Sequence, residues 1–414
     1  MRMGKIYDTI IIGGGAAGLM AAVECKRLGQ EILVIERNPR PGKKLVITGK
    51  GRCNITNFNH DLRALISKYQ HNGKFLYGAF SRFTVADTIN YFENILHIKT
   101  KVERGKRVFP KSNNAVDIIY ALIENISEDI LPNTSVLSFK MDGKEIVSAV
   151  TYKGEFRAKR FILATGGKSY PITGSNGDGY SLAQSVGHTI VEPKPALVPI
   201  ICKERWIKKI EGLSLLNVNI GVFQKEKLLT ERFGEALFTH EGMSGPIIID
   251  ISRQIGDALE RGEVQLSIDF KPALSKEVLD KRVRADFHKY RLKAFKNSLK
   301  DLLPSSIIPI FVELSKIDKE KKVAEICKEE RERLVNLLKD FRLSVLKLED
   351  WDKAIVTAGG IDIKEIEPTT MKSKLIDNLY FAGEMIDVYG PTGGYNLQIC
   401  WSTGILAARS YENE

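Results

Sequence analysis

The sequence predicts an α/β fold that opens with a parallel βαβ unit. Three observations near the N-terminus point to it: an apolar strand pattern over 7–12, a helical pattern over 16–28 and a second apolar run over 32–35. Strands that alternate with helices in this way build parallel sheets, because each helix returns the chain to the same edge. Short alternating strands from 191 onward predict a second, β-rich part of the molecule.

The turn after the first strand has the glycine spacing of a dinucleotide site. Gly13 permits a tight turn, Gly15 lets a pyrophosphate approach the backbone, and Gly18 allows the helix to pack close to the sheet. The second strand ends in Glu36, which follows Gly15 by about 20 residues, the interval at which an acid reaches a ribose hydroxyl. These features predict bound FAD or NAD, and the alternative is an ordinary βαβ turn.

Length and composition indicate a globular protein of several domains. A chain of 414 residues exceeds the size at which one core usually suffices, so two or three domains are expected. No apolar run is long enough to span a bilayer and no signal-peptide pattern is present, so we expect a cytoplasmic protein. The five cysteines form no CxxC pair and the six histidines lack metal-ligand spacing, so we expect no metal site.

A formal net charge of +11 predicts a polyanionic partner, because a basic surface attracts nucleic acid. The charge is concentrated over 271–300, which holds ten Lys and Arg residues and three acids. The cations expected to contact RNA are Lys281, Arg282, Arg284, Lys289, Arg291 and Lys293. The alternative is a solvated helix face.

Changes in residue pattern divide the chain into five segments. We expect 1–190 and 354–414 to form one nucleotide-binding domain, because the apolar strand that ends in Gly383 and Glu384 repeats the pattern of a strand ending in glycine and acid. Segments 191–272 and 341–353 are expected to form a β-barrel-like domain. Segment 273–340 is helical in pattern and rich in charge, and we expect it to be a basic helical insertion.

Three further glycine-rich segments are expected to meet the same ligand. They are the loop 39–57, with Gly51, Arg52, Cys53 and Asn54; the turn Thr165, Gly166 and Gly167 after a buried strand; and Gly393, Gly394, Tyr395 and Asn396 before a helix. The last segment directs free helix N–H groups toward an electron-rich group, which in a flavoprotein is the N1/C2 edge of the isoalloxazine. Stabilising negative charge there raises the reduction potential of the flavin.

In chain order, the segments GGGAAG, TGKGRCNITN, ATGG, FTHEGMSGP and FAGEMIDVYGPTGGYNLQ resemble the BaiN/RdsA (YhiN-like) family of FAD-dependent oxidoreductases. The resemblance covers essentially the whole chain. It implies a discontinuous Rossmann FAD domain of the glutathione-reductase type, an inserted β-barrel-like domain and a small helical domain. Only one GxGxxG turn is present, so FAD is expected as the resident cofactor and NAD(P)H as a transient reductant.

Members of this family have been assigned different reactions, so the fold does not settle the substrate. The assigned roles are reduction of a uridine in large-subunit ribosomal RNA to dihydrouridine, a bile-acid pathway reduction and amine oxidation. Three functions therefore compete: an RNA dihydrouridine synthase, a small-molecule oxidoreductase, and a flavin-carrying RNA-binding or assembly protein without turnover. The net charge and the basic segment favour the first, and the loop around Cys53 argues against the third.

The resemblance and the motifs together give the expected site residues. Those expected to hold the FAD are Gly13, Gly15, Ala16, Ala17, Gly18, Glu36, Arg37, Lys44, Gly51, Arg52, Cys53, Asn54, Val102, Thr165, Gly166, Gly167, Gly383, Glu384, Gly393, Gly394, Tyr395 and Asn396.

Saturation of a pyrimidine also needs a general acid. Cys53 is the first candidate, because Lys50 and Arg52 are expected to lower the pKa of its thiol, and the alternative is that this loop only wraps the FAD. His240 is the second candidate, and its alternative is a structural histidine at the barrel edge.

Overall fold

The computed structural model describes residues 5–69 and 71–410 and divides the chain into two compact units. The first unit is discontinuous and comprises Met1–Ala196 and Trp351–Glu414. The second unit, Leu197–Asp350, is one continuous segment. The sequence analysis puts the corresponding changes of pattern at 191 and 354.

The first part of the first unit alternates strands and helices. Its strands are β1 (Ile6–Ile12), β2 (Ile32–Ile35), β3 (Thr56–Asn57), β4 (Thr100–Glu103), β5 (Arg107–Pro110), β6 (Ile130–Leu131), β7 (Val136–Asp142), β8 (Glu145–Thr151), β9 (Gly154–Leu163) and β10 (Ile190–Ala196). Its helices are α1 (Ala16–Arg27), α2 (Lys43–Ile47), α3 (Leu62–Ile66), α4 (Leu76–Arg82), α5 (Val85–Asn90), α6 (Ala115–Ile123) and α7 (Asp178–Ser185).

The second unit is a closed β-barrel with attached helices. Its strands are β11 (Ile200–Cys202), β12 (Ser214–Gln224), β13 (Lys227–Phe238), β14 (Gly242–Ser244), β15 (Val264–Asp269) and β16 (Phe341–Leu348), and they close in the order β11-β14-β13-β12-β15-β16. Its helices are α8 (Pro246–Leu259), α9 (Lys276–Lys289), α10 (Ile308–Ser315) and α11 (Lys328–Lys339). The helices do not have a separate core, because Leu279 of α9, Leu334 of α11 and Phe341 of β16 belong to one buried cluster.

The chain then returns to the first unit, where β17 (Val356–Ile361), β18 (Leu379–Phe381) and α12 (Tyr395–Arg409) complete the fold. α12 packs closely against α1, since a Cβ on Gly404 would lie 2.6 Å from the carbonyl oxygen of Ala17. In the part of the chain that the structure describes, no helix has both the length and the apolar character needed to cross a membrane.

A seven-stranded sheet forms the centre of the first unit. Its order is β6-β2-β1-β9-β8-β7, and β18 pairs with the C-terminal end of β9. β1 is parallel to both β2 and β9, whereas β8 is antiparallel to its neighbours. The four residues of β2 are all buried, as the unbroken apolar run predicts for a parallel strand covered on both faces. The glycine turn therefore lies at the carboxyl edge of a parallel sheet, where such sheets bind ligands.

Candidate cofactor site

The turn after β1 leaves room for a ligand at one glycine and none at two others. A Cβ on Gly13 would lie 2.5 Å from the Ala164 carbonyl oxygen, and one on Gly18 would collide with the Gly13 carbonyl. At Gly15, a Cβ would meet no atom within 4 Å in the described part of the chain. Gly15 is also the N-cap of α1 and offers no side chain to the helix N–H groups. Open space beside free N–H groups suits a pyrophosphate.

Glu36 is buried after β2 and already fixes the glycine turn. Its Oε2 accepts the Gly14 N–H at 2.7 Å, and its Oε1 accepts the backbone and side-chain N–H groups of Asn38, both at 2.7 Å. A carboxylate oxygen accepts two hydrogen bonds, so Oε2 keeps capacity for a ribose hydroxyl. Glu36 therefore fixes the turn, and the ligand contact expected from the sequence stays a prediction.

Lys44 and Glu384, both predicted to contact the cofactor, form an ion pair with each other. Lys44 Nζ lies 2.8 Å from Glu384 Oε2, while Glu384 Oε1 accepts the Ser169 hydroxyl at 2.6 Å and the Thr357 N–H at 2.9 Å. Burial alone would raise the pKa of Glu384, but the charge and hydrogen bond of Lys44 hold that pKa below its usual value. Gly167 lies against this cluster, because a Cβ there would collide with the Thr357 hydroxyl.

The loop 48–57 is hydrogen-bonded to the start of α12. Thr56 donates to Gln398 Oε1 at 2.5 Å, and Asn57 Nδ2 donates to the Gly393 carbonyl at 3.2 Å. A Cβ on Gly394, the N-cap of α12, would lie 2.5 Å or less from the Thr56 carbonyl group. Two motifs that are 336 residues apart in sequence therefore form one wall of the first unit.

Asn396 and Tyr395 stabilise the turn that precedes α12. The Asn396 side chain accepts the Gly390 N–H and donates to the Gly390 carbonyl, both at 2.8 Å. The Tyr395 carbonyl accepts the Tyr69 hydroxyl at 2.9 Å. Because the N-cap Gly394 supplies no side-chain cap, the N–H groups at the start of α12 resemble those of α1.

Four buried polar side-chain atoms of the first unit have no hydrogen-bond partner among residues 5–69 and 71–410. They are Gln30 Nε2, Asn54 Oδ1, Thr165 Oγ1 and the Tyr180 hydroxyl. Buried polar atoms are almost always paired, so an unpaired one marks a place for a ligand or water. Burial, and then the charges of Glu384 and Asp387, raise the pKa of the Tyr180 hydroxyl, which therefore stays protonated. Unsatisfied groups in the same unit as the open glycine turn fit a large polar cofactor such as FAD.

The expectation that nearby cations lower the pKa of Cys53 is wrong. Its side chain is fully buried, and burial raises the pKa of the thiol to about 12. Arg52 is directed elsewhere, with its guanidinium 4.0 Å from the centre of the Phe109 ring and 3.1 Å from the Glu103 carboxylate. Lys50 and Cys53 both have left-handed backbone conformations, where the loop turns the thiol into the core. A thiol enclosed by protein has no access to a substrate, so we do not assign the general acid to Cys53.

The remaining predicted contacts are glycines in tight turns and side chains at the surface. Gly51 and Gly166 have φ angles of 81° and 77°, and glycine alone adopts this region without strain. Arg37 forms an ion pair with Asp178 at 2.5 Å, and Val102 is exposed on β4. No cluster of three or more His, Cys, Asp or Glu that could hold a metal ion occurs within the described ranges.

His240 belongs to the second unit and lies in the short connection between β13 and β14. Its Nδ1 is 2.8 Å from Glu211 Oε2, and its side chain is 68% exposed. It is therefore an accessible histidine at the barrel edge.

A histidine that the sequence analysis did not single out lies against the C-terminal motif. His71 Nε2 is 3.0 Å from Asp387 Oδ2, and Asn72 Nδ2 donates to the same oxygen at 2.9 Å. Asp387 is 3% exposed and the His71 side chain 48% exposed, so a buried carboxylate orients an accessible imidazole. His71 also forms a β-bridge with Tyr389, where the glycine segment begins. Sequence spacing gives no signal for a pair separated by 316 residues.

Acidic neighbours neutralise much of the basic segment 271–300. Four of its cations have carboxylate partners: Arg282 with Asp286, Arg284 with Asp280, Lys289 with Asp301 and Lys296 with Glu320. Over 273–340, seventeen Lys and Arg residues stand beside twelve Asp and Glu residues. Of the six predicted RNA contacts, Lys281, Arg291 and Lys293 have no carboxylate partner in the described part of the chain. The net positive charge around the folded segment is therefore smaller than the sequence of 271–300 alone indicates.

The sheet is parallel over β2, β1 and β9. Together with an uncapped glycine turn, a buried acid after the second strand and a second uncapped helix start, it defines a dinucleotide-binding Rossmann fold. The chain is an FAD-dependent oxidoreductase. It belongs to the HI0933-like family, because the family model described as HI0933-like protein Rossmann domain matches residues 7–410.

Two similar proteins match over nearly their full length. The 3-dehydro-bile acid delta(4,6)-reductase of Clostridium scindens is 32% identical over 407 residues, which cover 97% of this chain and 98% of that protein. The ribosomal RNA dihydrouridine synthase of Escherichia coli K12 is 28% identical over 411 residues, which cover 97% of each.

Solved flavoenzymes share the fold at low identity. The 3-ketosteroid delta1-dehydrogenase from Sterolibacterium denitrificans superposes with a TM-score of 0.54 at 13% identity, over 98% of this chain and 99% of that one. A flavocytochrome c3 fumarate reductase gives a TM-score of 0.52 at 16% identity, over 98% of this chain and 78% of that one. At these identities the comparison concerns the fold alone.

Proposed function

We propose that this oxidoreductase reduces a uridine of large-subunit ribosomal RNA to dihydrouridine in the cytoplasm, with electrons from transiently bound NAD(P)H. The observation that carries the proposal is the net charge of +11, because a positively charged enzyme attracts a polyanionic substrate. Full-length similarity to a ribosomal RNA dihydrouridine synthase supports the same substrate.

Reduction of a small molecule is the second candidate, and the 32% identical bile-acid reductase favours it. The two substrates have common chemistry. Uridine contains a double bond conjugated with a ring carbonyl, and the name of the bile-acid substrate describes a ring ketone with conjugated double bonds. Each reduction adds a hydride to one carbon and a proton to its neighbour. The same cofactor site and the same acid would therefore serve either substrate.

Residues of the first unit would hold the FAD. The α1 N-terminus at Gly15 would take the pyrophosphate and Glu36 the ribose, while Thr165 and Tyr180 offer unpaired hydroxyls to polar atoms of the cofactor. FAD, once bound and reduced by the nicotinamide, would supply the hydride. The chain itself must then supply the proton, exclude water and hold the substrate.

His71 is the proton donor in this proposal, and Asp387 is its positioning residue. The imidazole is accessible, whereas the Cys53 thiol is buried. A buried carboxylate 3.0 Å from Nε2 fixes the orientation of the ring. His240, which is also accessible, is the alternative donor.

Mass spectrometry of ribosomal RNA from cells with and without this protein tests the substrate. We expect one fragment of the large-subunit RNA to lose the mass of two hydrogens when the protein is absent. Complementation with the wild-type chain should restore that mass. Identical RNA in both strains, together with turnover of a cyclic enone by the purified enzyme, would establish the small-molecule candidate instead.

A further inference from the structure

The hairpin formed by β4 and β5 concentrates positive charge in the first unit. We call residues 99–111 the basic hairpin: they include six Lys and Arg residues and one acid, Glu103. Glu103 is already shared by Arg52 and Lys101, at 3.1 and 3.2 Å. The exposed cations Lys99, Arg104, Lys106 and Lys111 have no carboxylate partner among the residues described. Thirteen residues thus carry the same net charge, +5, as the 68 residues of 273–340.

The tip of the basic hairpin is joined to the glycine turn before α12. Glu103 pairs with Arg107 across a three-residue turn, in which Gly105 and Lys106 have φ angles of 77° and 58°. Asn57 Nδ2 donates to the Gly105 carbonyl and to the Gly393 carbonyl, both at 3.2 Å. One side chain therefore holds the cationic turn beside the cofactor-site wall.

An exposed aromatic residue lies next to the same turn. The Phe58 N–H donates to the Lys106 carbonyl at 2.6 Å, and the Phe58 residue is 40% exposed. Its ring centre is 4.3 Å from that of His60 in an edge-to-face contact, which restricts the ring. Unpaired bases stack on aromatic rings beside cations that hold the phosphates.

We propose that the basic hairpin, together with Phe58, is the surface on which this enzyme docks single-stranded RNA. The inference rests on the proposed function and names the part of the chain that recognises the substrate. Phosphates bind the unpaired cations of the basic hairpin, and a base beside the target stacks on Phe58. Charge alone would also suit an anionic membrane, but a restricted aromatic ring next to the cations favours a nucleic acid.

The test compares two triple variants that remove the same charge from different places. The hairpin variant combines Arg104→Gln, Lys106→Gln and Lys111→Gln, and the control combines Lys281→Gln, Arg291→Gln and Lys293→Gln. Binding of the FAD-loaded protein to a fluorescein-labelled, mixed-sequence single-stranded RNA of about 20 nucleotides is followed by anisotropy over a range of salt concentrations.

The hairpin variant should lose about 2 in the slope of log affinity against log salt, at about 0.7 per phosphate contact. Its affinity at about 0.1 M salt should fall about 100-fold, and the control variant should stay within about twofold of wild type. Phe58→Leu should weaken binding about tenfold with the slope unchanged, because it removes stacking and no charge. Unchanged flavin absorbance in all variants verifies the fold.

Equal losses in both triple variants, or none in the hairpin variant, overturn the proposal. So does wild-type protein that binds phosphatidylglycerol vesicles through the hairpin and leaves the RNA unbound. The binding assay involves no turnover, so it is independent of the ribosomal RNA mass assay. RNA binding through the hairpin with no change of RNA mass in cells supports docking and refutes uridine reduction. Uridine reduction by a hairpin variant that binds RNA normally refutes docking alone.

Discussion

Two basic regions of the molecule differ in what their charges contact. In 271–300, acids from the same helix and from later turns pair with the cations, and Asp280 alone binds Arg284 and Arg331. In the basic hairpin, a single carboxylate serves Arg52 and Lys101, and the cations of the turn remain available. Segment 271–300 has the longer run of charge in the sequence. In the folded protein it is therefore the less positive of the two regions. Paired charges contribute to folding, and charges left unpaired at an exposed turn are free to bind.

This difference predicts that substitutions at open or unpaired groups of the cofactor site and of the basic hairpin change binding, and that substitutions at paired groups change stability. The largest expected effect is at Gly15. Gly15→Val should abolish FAD retention, because the side chain fills the space left for the pyrophosphate. The melting temperature of the FAD-free protein should not change, since no protein atom lies within 4 Å of the new Cβ in the described chain.

The matched control is Gly18→Val, whose side chain would collide with the Gly13 carbonyl. That variant should lose both FAD and thermal stability. A Gly15→Val protein that stays yellow would contradict our assignment of the turn.

His71→Gln should lower the rate of substrate reduction by about 10²–10⁴-fold, because glutamine keeps a polar side chain beside Asp387 but donates no proton. Reduction of the bound flavin by dithionite should be unaffected. Stopped-flow reoxidation of the pre-reduced enzyme by substrate RNA measures the effect. His288→Gln, at an exposed position of α9, is the control. If His71→Gln retains full rate, the acid lies elsewhere and His240→Gln is the next variant to measure.

Lys44 is a paired group inside the cofactor site, so Lys44→Gln should change stability with a definite pH dependence. In the wild type the pKa of Glu384 is lowered, so its contribution to stability is present above its unfolded pKa and is lost as the pH falls through the folded value. Without Lys44, burial raises that pKa. The variant should then lose about 3 kcal/mol at neutral pH and regain part of it as the pH falls through the raised pKa.

Urea unfolding at neutral and mildly acidic pH measures this change, and Lys44→Arg should behave like the wild type. A loss in Lys44→Gln that is equal at both pH values would show that Glu384 does not change protonation.

The smallest expected effect is at Asp280. Asp280→Asn should lower the free energy of unfolding by about 2 kcal/mol, because a partly buried carboxylate loses Arg284 and Arg331. The salt slope of RNA binding should stay constant even though two guanidinium groups are released. Glu332→Gln, which breaks an exposed pair with Lys328 at 3.8 Å, should cost less than about 0.5 kcal/mol. An increase in RNA affinity for Asp280→Asn would remove the distinction between the two basic regions.

The sequence predicted those parts of the site that depend on local order. The glycine turn, the strand that ends in Glu36 and the helix after Gly394 each occupy a short stretch, so residue spacing carries the information. The ion pairs and hydrogen bonds between distant segments could not be predicted from residue spacing. Glu384 with Lys44, and His71 with Asp387, join residues 340 and 316 positions apart, and no spacing rule connects them.

The inference about Cys53 was wrong, the RNA contact expected at the basic segment stays a prediction, and both rested on sequence neighbours alone. The pKa of Cys53 was inferred from its sequence neighbours, but a left-handed backbone turns the thiol into the core while Arg52 reaches Glu103. The basic segment was inferred from its own residues, but Asp301 and Glu320, which lie beyond it, pair with Lys289 and Lys296. Electrostatic environment depends on the folded neighbours of a group, and sequence adjacency is a poor substitute for them.

The discontinuity of the first unit has a consequence for biosynthesis. β18 and α12 are translated after the whole second unit, yet β18 extends the sheet beside β9 and α12 covers α1 at Ala17. Because compact segments fold as they leave the ribosome, the barrel has all its strands while the earlier sheet still lacks its last strand. We therefore expect the nascent chain to bind its flavin only after α12 has left the ribosome. Truncation before residue 395 should yield a colourless protein, however complete its barrel.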